Sequence, residues 1–171
     1  MGCTSILFVC HGNICRSTMA EFVMRHLVEQ AGLADSIRVD SAATSKEELG
    51  NDVHPGTRGK LGQMGVPCGH HVSRQMGPAD YESFDYIVGM DQDNMDGIYR
   101  LLLGEKGYGW SWDPVSGAEI SRADPEEKVS RLLSWAGVDR DVADPWYTGN
   151  FDVTYDDVLL GCTALLKEIT N

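Results

Sequence analysis

An apolar run near the N-terminus leads straight into a tight loop and a helical pattern, and this succession limits the possible folds more than any other part of the chain. Ser5–Cys10 (SILFVC) is short and partly β-branched, which is typical of a strand buried on both faces. A polar loop with one glycine follows at His11–Arg16, and Ser17–Ala31 then carries apolar residues at helical spacing. Ser17 is predicted to cap this helix and Gly32 to end it. A strand, a tight loop and a helix in this order open an α/β unit.

The rest of the chain continues the alternation of strands and helices. Further strands are predicted at Ile37–Ala42 and Phe84–Met90, and further helices at Thr57–Met64, from an Asp91 cap to about Leu103, and at Phe151–Ile169. Residues 125–136 fit either a helix begun by Asp124-Pro125 or a strand at Val129–Trp135. Residues 104–123 show no clear period and stay unassigned, and their Trp110 and Trp112 are expected to cover the core. Alternation of this kind favours a doubly wound parallel sheet, in which ligands bind beyond the carboxyl ends of the strands.

Composition and charge narrow the class of protein. A chain of 171 residues is long enough for one compact domain, so we expect a single domain over residues 1–171. The net charge of -12 argues against nucleic-acid partners and against docking on anionic membranes, and no apolar run reaches the roughly 18 residues of a membrane span. The 5 cysteines are scattered, which predicts reduced thiols and a cytoplasmic location. No cluster has metal-ligand spacing, so neither a metal nor a cofactor is predicted.

The loop between Cys10 and Arg16 has the composition of a phosphate-binding site. A tight loop that feeds a helix N-terminus turns successive backbone N–H groups inward, and the helix dipole reinforces the anion site that they form. Arg16 adds a planar fork for two phosphate oxygens, and the same positive field favours a nucleophilic thiolate at Cys10. Ser17 can donate a hydrogen bond to that thiolate. The substrate-binding residues predicted in this loop are His11, Gly12, Asn13, Ile14, Cys15 and Ser17.

Hydrolysis of a phosphate monoester also needs a carboxylic acid that protonates the leaving oxygen. Asp144-Pro145-Trp146-Tyr147 is the best candidate for the loop that carries it. Asp144 would be the general acid, Pro145 restricts the backbone after it, and Trp146 and Tyr147 could wall a cleft for a flat substrate ring. Taken alone, an Asp-Pro pair is usually only a turn.

Together these motifs resemble those of the low-molecular-weight protein-tyrosine phosphatases. The resemblance rests on V-C-H-G-N-I-C-R-S (Val9–Ser17), A-E (Ala20 and Glu21), D-S-A-A (Asp40–Ala43), F-D-Y-I (Phe84–Ile87), M-D (Met90 and Asp91) and D-P-W-Y (Asp144–Tyr147). It implies a four-stranded parallel sheet with helices on both faces, and it favours the strand at Val129–Trp135. It also implies a two-step reaction, in which Cys10 forms a cysteinyl-phosphate while Asp144 protonates the leaving phenol and then activates water.

The resemblance implies partners and supporting residues as well. The substrate would be a phosphotyrosine-containing protein or peptide, and inorganic phosphate would be a product. Asn13, Ser41 and His71 would form a network that holds the loop in shape. Cys10 and Cys15 could form a reversible disulfide that protects the nucleophile from irreversible oxidation. Glu47 stands near a position where the family often has an aromatic wall residue.

Three other functions stay open. A protein-arginine phosphatase of the same family tends to carry Thr where this chain has Ile14, so Ile14 favours phosphotyrosine. A thioredoxin-coupled arsenate reductase needs two further cysteines placed to relay a disulfide, whereas only Cys68 and Cys162 lie downstream of the loop. The third alternative is a catalytically silent module that only binds phosphate or phosphoproteins.

Overall fold

The computed structural model of the chain describes residues 2–106 and 112–171, and a parallel sheet forms the centre of this part. The sheet has 4 strands in the order β2-β1-β3-β4, and each neighbouring pair is parallel. The strands are β1 (Thr4–Cys10), β2 (Ile37–Ala43), β3 (Tyr86–Gly89) and β4 (Val129–Arg131). Burial of β1 from Ser5 to Cys10 agrees with its continuous apolar run. The α/β class with a four-stranded parallel sheet is confirmed.

Helices follow each of the first three strands and end the chain. They are α1 (Arg16–Gln30), α2 (Pro55–Gln63), α3 (Ala79–Ser83), α4 (Gln92–Leu102), α5 (Gly117–Ala123), α6 (Pro145–Thr148) and α7 (Phe151–Thr170), with a 3₁₀ helix at Leu132–Ala136. The unassigned stretch 104–123 therefore contains α5, which is begun by a capping box between Ser116 and Glu119. Trp110 lies outside the described residues. In the part of the chain that the structure describes, no helix has the length and apolarity needed to cross a membrane.

Both faces of the sheet are covered by helices, because successive side chains of a strand point to opposite faces. Ile6, Phe8 and Cys10 join one apolar cluster with side chains of α1 and α7. Leu7 and Val9 point the other way and join a second cluster with side chains of α4. The carboxyl end of β1, where Cys10 lies, is thus held between two packed layers.

Two local predictions about helix starts have different outcomes. Asp91 caps α4 as expected, in a capping box with Asn94. The prediction that Ser17 caps α1 is wrong, because α1 begins at Arg16 with Cys15 at the N-cap position. The hydroxyl of Ser17 instead accepts hydrogen bonds from the Cys10 thiol and the Asn13 side chain.

The segment 124–136 is neither of its predicted alternatives in full. Asp124 starts no helix, because its carboxylate accepts hydrogen bonds from the backbone N–H groups of Lys128 and Val129 and so closes a turn. The strand favoured by the family resemblance forms, but it covers only Val129–Arg131. The chain then enters the 3₁₀ helix, which ends at Gly137 in the left-handed conformation.

Candidate active site

The loop between Cys10 and Arg16 is held by hydrogen bonds to its backbone carbonyls. Each carbonyl from Cys10 to Cys15 accepts a hydrogen bond of 2.9 to 3.1 Å from a residue beyond the loop. The six contacts are Thr44 N to Cys10, Ser45 Oγ to His11, Ser73 Oγ to Gly12, His71 Nε2 to Asn13, His54 N to Ile14 and Thr57 Oγ1 to Cys15. In a trans peptide the C=O and the following N–H point in opposite directions. Outward carbonyls therefore leave the N–H groups of residues 11–16 facing the concave side, and such an arrangement can bind an anion.

Cys10 lies at the floor of this concave loop. Its thiol is 3% exposed, and Sγ lies 3.1 Å from Ser17 Oγ and 3.3 Å from the backbone N of Asn13. Asn13 adopts the left-handed backbone conformation, with φ 58°. Its side-chain Nδ2 donates to Ser17 Oγ and to Ser41 Oγ, both at 2.9 Å. Asn13 thus links the thiol and its serine neighbour to strand β2.

A second layer of buried polar groups supports Asn13. Ser41 donates to Glu21 at 2.6 Å, and Glu21 also pairs with Arg25 at 3.0 Å. Burial raises the pKa of Glu21, while its hydrogen bond with Ser41 and the charge of Arg25 oppose that rise. His71 Nε2 lies 2.9 Å from the Asn13 carbonyl. The structure therefore brings Ser41 and His71 to Asn13, and it adds Glu21, which the sequence interpretation did not assign to the site.

Arg16 is almost fully buried at the edge of the cleft. Its Nη1 donates to Asp91 Oδ2 at 2.7 Å, and its Nη2 donates to Asp144 Oδ2 at 3.1 Å. Burial of the guanidinium works against its charge, but the nearby charges of Asp91, Cys10 and Asp144 raise the pKa of Arg16 overall. The sequence predicts Asp91 as a helix cap and places it in the M-D motif, but assigns it no role in the site. Its position directly after β3, on the same sheet edge as Cys10, was the signal that could have assigned it to the site.

Asp144 is held by its own short helix and by α7. It is the N-cap of α6, and Oδ1 accepts from the backbone N of Trp146 at 3.0 Å. The residue before it, Ala143, is fixed from α7, because its N–H donates to Asp157 at 3.1 Å and its carbonyl accepts from Thr154 at 2.7 Å. The loop that brings Asp144 to Arg16 is therefore held by hydrogen bonds within α6 and from α7.

The loop, Arg16 and Asp144 open into one cleft of about 750 Å³, a volume that includes its open mouth. Its walls comprise the loop residues Cys10, His11, Gly12, Ile14, Cys15 and Arg16, the carboxylates Glu47, Glu48, Asp91, Asp93 and Asp144, and the residues Thr44, Asn94, Trp112, Trp146 and Tyr147. Trp146 and Tyr147 are 60% and 76% exposed, so they lie at the mouth of the cleft. Trp112 is both partly buried against the second core cluster and part of the cleft. The sequence interpretation expected only the first of these positions.

Cys15 is the second thiol of the cleft. Burial, followed by the charges of Cys10 and Asp144, raises the pKa of Cys15 to about 12. All 5 cysteines, including Cys10 and Cys15, are free thiols in this structure. Across residues 2–106 and 112–171, no group of three or more His, Cys, Asp or Glu side chains is placed to hold a metal ion.

Comparison with known proteins identifies the family that shares this arrangement. The family model for low molecular weight phosphotyrosine protein phosphatase matches residues 5–107. The low molecular weight protein-tyrosine-phosphatase YfkJ of Bacillus subtilis (strain 168) is 36% identical over 167 residues, which cover 96% of this chain and 95% of that protein. The chain belongs to the low-molecular-weight protein-tyrosine phosphatase family. The enzyme PtpA of Staphylococcus aureus (strain MRSA252), with the same description, is 35% identical over 165 residues, or 96% of this phosphatase and 92% of PtpA.

Solved structures agree with this membership. The crystal structure of YfkJ from Bacillus subtilis superimposes with a TM-score of 0.83 at 34% identity, and the match covers 99% of this phosphatase and 96% of that chain. The crystal structure of a Drosophila arginine phosphatase superimposes with a TM-score of 0.74 at 28% identity, over 97% of this phosphatase and 98% of that chain. The phosphatase is therefore a hydrolase by family, and its substrate class can be argued from its own cleft.

Proposed function

We propose that this phosphatase hydrolyses phosphotyrosine in proteins through a phosphoenzyme on Cys10. The observation that carries the proposal is the meeting of Cys10, Arg16 and Asp144 in one cleft whose floor is a ring of inward N–H groups. Inward amides and a buried guanidinium bind a phosphoryl group and stabilise the charge that develops on its oxygens. The rim aromatics Trp146 and Tyr147 suit an aryl ester.

In the first step, the Cys10 thiolate attacks phosphorus and the bond from phosphorus to the phenolic oxygen breaks. The proton of the Asp144 carboxylic acid goes to that oxygen, so tyrosine leaves as a neutral phenol. Arg16 and the loop amides hold the three equatorial oxygens during the transfer. This assignment is supported by the 3.1 Å contact between Asp144 Oδ2 and Arg16 Nη2, and by the position of Cys10 in the wall of the same cleft.

In the second step, a water molecule attacks phosphorus while the Asp144 carboxylate accepts its proton. The sulfur–phosphorus bond breaks, inorganic phosphate forms, and Cys10 leaves as a thiolate. Ser17 stabilises that leaving thiolate by donating its hydroxyl hydrogen across the 3.1 Å contact. Asn13 and its partners Ser41 and His71 keep the loop in the geometry that both steps need.

Phosphoarginine and arsenate are the competing substrates. Ile14 lines the cleft, where its apolar side chain supports an aryl ester over a phosphoramidate. Arsenate reduction needs a relay of thiols to Cys10, but Cys162 is fully buried in the core and contacts the Ala20 carbonyl. Both features support phosphotyrosine.

The test compares phosphate release from phosphotyrosine, phosphoserine and phosphoarginine peptides in the presence of EDTA. Wild-type protein should release phosphate rapidly from phosphotyrosine alone, and Cys10→Ser should lose that activity while keeping its fold by circular dichroism. Release chiefly from phosphoarginine would be compatible with the phosphoenzyme mechanism, but it would contradict the argument that Ile14 favours phosphotyrosine. A folded wild type that acts on none of the peptides would contradict the phosphatase proposal itself.

We further propose that residues 1–171 form a single phosphatase domain that works in the cytoplasm on phosphoproteins, without metal or cofactor. The support for one domain is that relatives of similar length match nearly the whole chain, and that α7 packs on α1 in one apolar cluster. The support for a reducing compartment is that Cys10 and Cys15 are free thiols that line the cleft, where oxidation of the proposed nucleophile would inactivate the enzyme.

A further inference from the structure

Trp112 lies between α4 and α5, in a segment whose role the sequence did not predict. Its side chain lines the same cleft as Cys10 and Arg16. Trp146 and Tyr147 are mostly exposed at the mouth, whereas Trp112 is partly buried against the second core cluster. The indole of Trp112 is therefore a more enclosed part of the cleft wall than the two aromatic residues at the mouth.

A glycine in α4 makes room for this indole. A Cβ atom at Gly97 would lie 2.5 Å from Trp112 Nε1, 2.9 Å from Trp112 Cδ1 and 2.9 Å from Thr44 Cγ2. Carbon atoms that are not bonded do not approach this closely, so any side chain at position 97 would displace the indole or Thr44. The indole of Trp112 thus packs closely against the backbone of α4 at Gly97.

The packing of Trp112 against α4 determines which of its atoms face the cleft. Among the described residues, Nε1 of Trp112 is a buried side-chain nitrogen with no hydrogen-bond partner. Nε1 is the only polar atom of the indole, so the surface that Trp112 presents to the cleft consists of carbon. Such a surface binds by apolar contact and ring stacking, and it cannot hydrogen-bond a substrate.

We propose that Trp112 is a specificity-determining residue that contacts the aryl ring of the substrate. The inference rests on the proposed function, in which the loop amides and Arg16 hold the phosphoryl group at the floor of the cleft. The group that follows phosphorus toward the mouth is then the phenolic ring, and Trp112 is the enclosed carbon wall along that path. An aliphatic phosphate ester gains much less from this wall than an aryl ester does.

Steady-state kinetics of Trp112→Ala test the proposal. The KM for a phosphotyrosine peptide should rise roughly 3- to 10-fold, which is the effect of losing one aromatic contact, with kcat near the wild-type value. Competitive inhibition by inorganic phosphate should stay at the wild-type Ki, because phosphate contacts only the loop and Arg16. Trp112→Phe should keep a KM within about twofold of wild type, since it retains a ring and removes an N–H that has no partner.

Two further variants separate ring contact from a structural effect. Trp135→Ala removes another half-buried indole, one that donates a hydrogen bond to Ser130 and packs edge-to-face against Tyr86 outside the cleft. Trp135→Ala should lower stability, but the ratio of the KM for the phosphotyrosine peptide to the Ki for inorganic phosphate should stay at its wild-type value. Gly97→Ala should displace the Trp112 ring and reproduce the higher KM of Trp112→Ala.

Several results would overturn the inference. A wild-type KM in folded Trp112→Ala would do so, and so would an equal loss of phosphate and phosphotyrosine binding. If Trp112→Ala does not fold, fluorescence of the inactive Cys10→Ser protein decides. The emission change on adding phosphotyrosine should shrink in Cys10→Ser/Trp112→Phe and persist in Cys10→Ser/Trp135→Phe, and the reverse pattern would reject Trp112. A wild type inactive on aryl phosphates would instead reject the proposed function.

Discussion

Asn13 connects the proposed nucleophile to the rest of the fold at the scale of a single residue. Its backbone has φ 58°, and its side chain donates to both Ser17 and Ser41. Alanine at this position would lose both hydrogen bonds and would also hold a left-handed conformation that costs about 1–2 kcal/mol. The N–H groups of the loop would then no longer be held in the orientation that binds the phosphoryl group.

We therefore expect Asn13→Ala to lower kcat/KM by about 10- to 100-fold, with a loss of unfolding free energy of about 2 kcal/mol. Steady-state kinetics and urea denaturation measure the two effects. Asn51→Ala is the matched control, because it removes an exposed amide whose side chain donates a hydrogen bond to Glu48. An unchanged kcat/KM in Asn13→Ala would show that the network does not shape the loop.

Cys15 differs from Cys10 in its expected reactivity. A pKa of about 12, which burial produces first, keeps the Cys15 thiol protonated at neutral pH. Only the thiolate is nucleophilic, so Cys15 in the Cys10→Ser variant should resist iodoacetamide at pH 7 while exposed Cys3 is alkylated. Peptide mass mapping over time measures both sites. Alkylation of Cys15 as fast as that of Cys3 would contradict the assigned protonation state.

At the scale of elements, α7 fixes the loop that carries the proposed general acid. Arg140 pairs with Asp157 at 2.7 Å, and Asp157 also accepts from the Ala143 N–H. Asp157→Asn should loosen this anchor and lower kcat by about 10-fold through misplacement of Asp144. Asp156→Asn, at an exposed neighbouring position, is the matched control and should leave kcat unchanged. If the two variants have equal kcat values, the anchor that Asp157 provides from α7 does not contribute to catalysis.

Asp157 also gives the fold a pH dependence of known sign. Burial alone would raise the pKa of Asp157, but the hydrogen bonds from Arg140 and Ala143 lower it below its ordinary 3.8. A carboxylate with a lowered pKa stabilises the fold above pH 3.8, and this contribution is lost as the pH falls through the folded-state pKa. The difference in unfolding free energy between wild type and Asp157→Asn should be about 2 kcal/mol at pH 7 and should shrink below pH 3.8. A constant difference down to pH 2 would contradict this linkage.

Elements with strong local signals could be predicted from the sequence, and those fixed by distant contacts could not. β1 and the Asp91 cap of α4 depend on nearby residues, so an apolar run and a capping box sufficed. Ser17 has the chemistry of a cap, but a tertiary contact with Cys10 takes its hydroxyl. The placement of Trp112 in the cleft depends on Gly97, which lies 15 residues earlier in the chain, and no local sequence pattern indicates such a contact.

Charge acts at the scale of the whole molecule. The net charge is -12, and the walls of the cleft include the carboxylates Glu47, Glu48, Asp91, Asp93 and Asp144. Arg16 already faces Asp91 and Asp144, and His11 lies 3.0 Å from Glu47. A substrate with acidic residues beside its phosphotyrosine would be repelled from this rim, and one with basic residues would be attracted.

Peptides with arginine beside the phosphotyrosine should therefore have a kcat/KM roughly 10-fold above that of aspartate-flanked peptides at low salt, and the ratio should narrow toward 1 M salt. Asp93→Asn should reduce the ratio, whereas Asp156→Asn changes the net charge equally at an exposed site of α7 and should not. If the kcat/KM ratio changes neither with salt concentration nor in Asp93→Asn, electrostatic selection is contradicted.

The central claim is that the phosphoryl group passes through Cys10. Rapid acid quenching of a reaction with phosphotyrosine peptide, followed by mass spectrometry, tests it most directly. We predict one phosphoryl group on the peptide that contains Cys10 in the wild type and none in Cys10→Ser. Asp144→Asn should slow both the appearance of the label on Cys10 and its loss, because Asp144 transfers a proton in each step. Phosphate release with no label on Cys10, or with the label on another residue, would contradict the account.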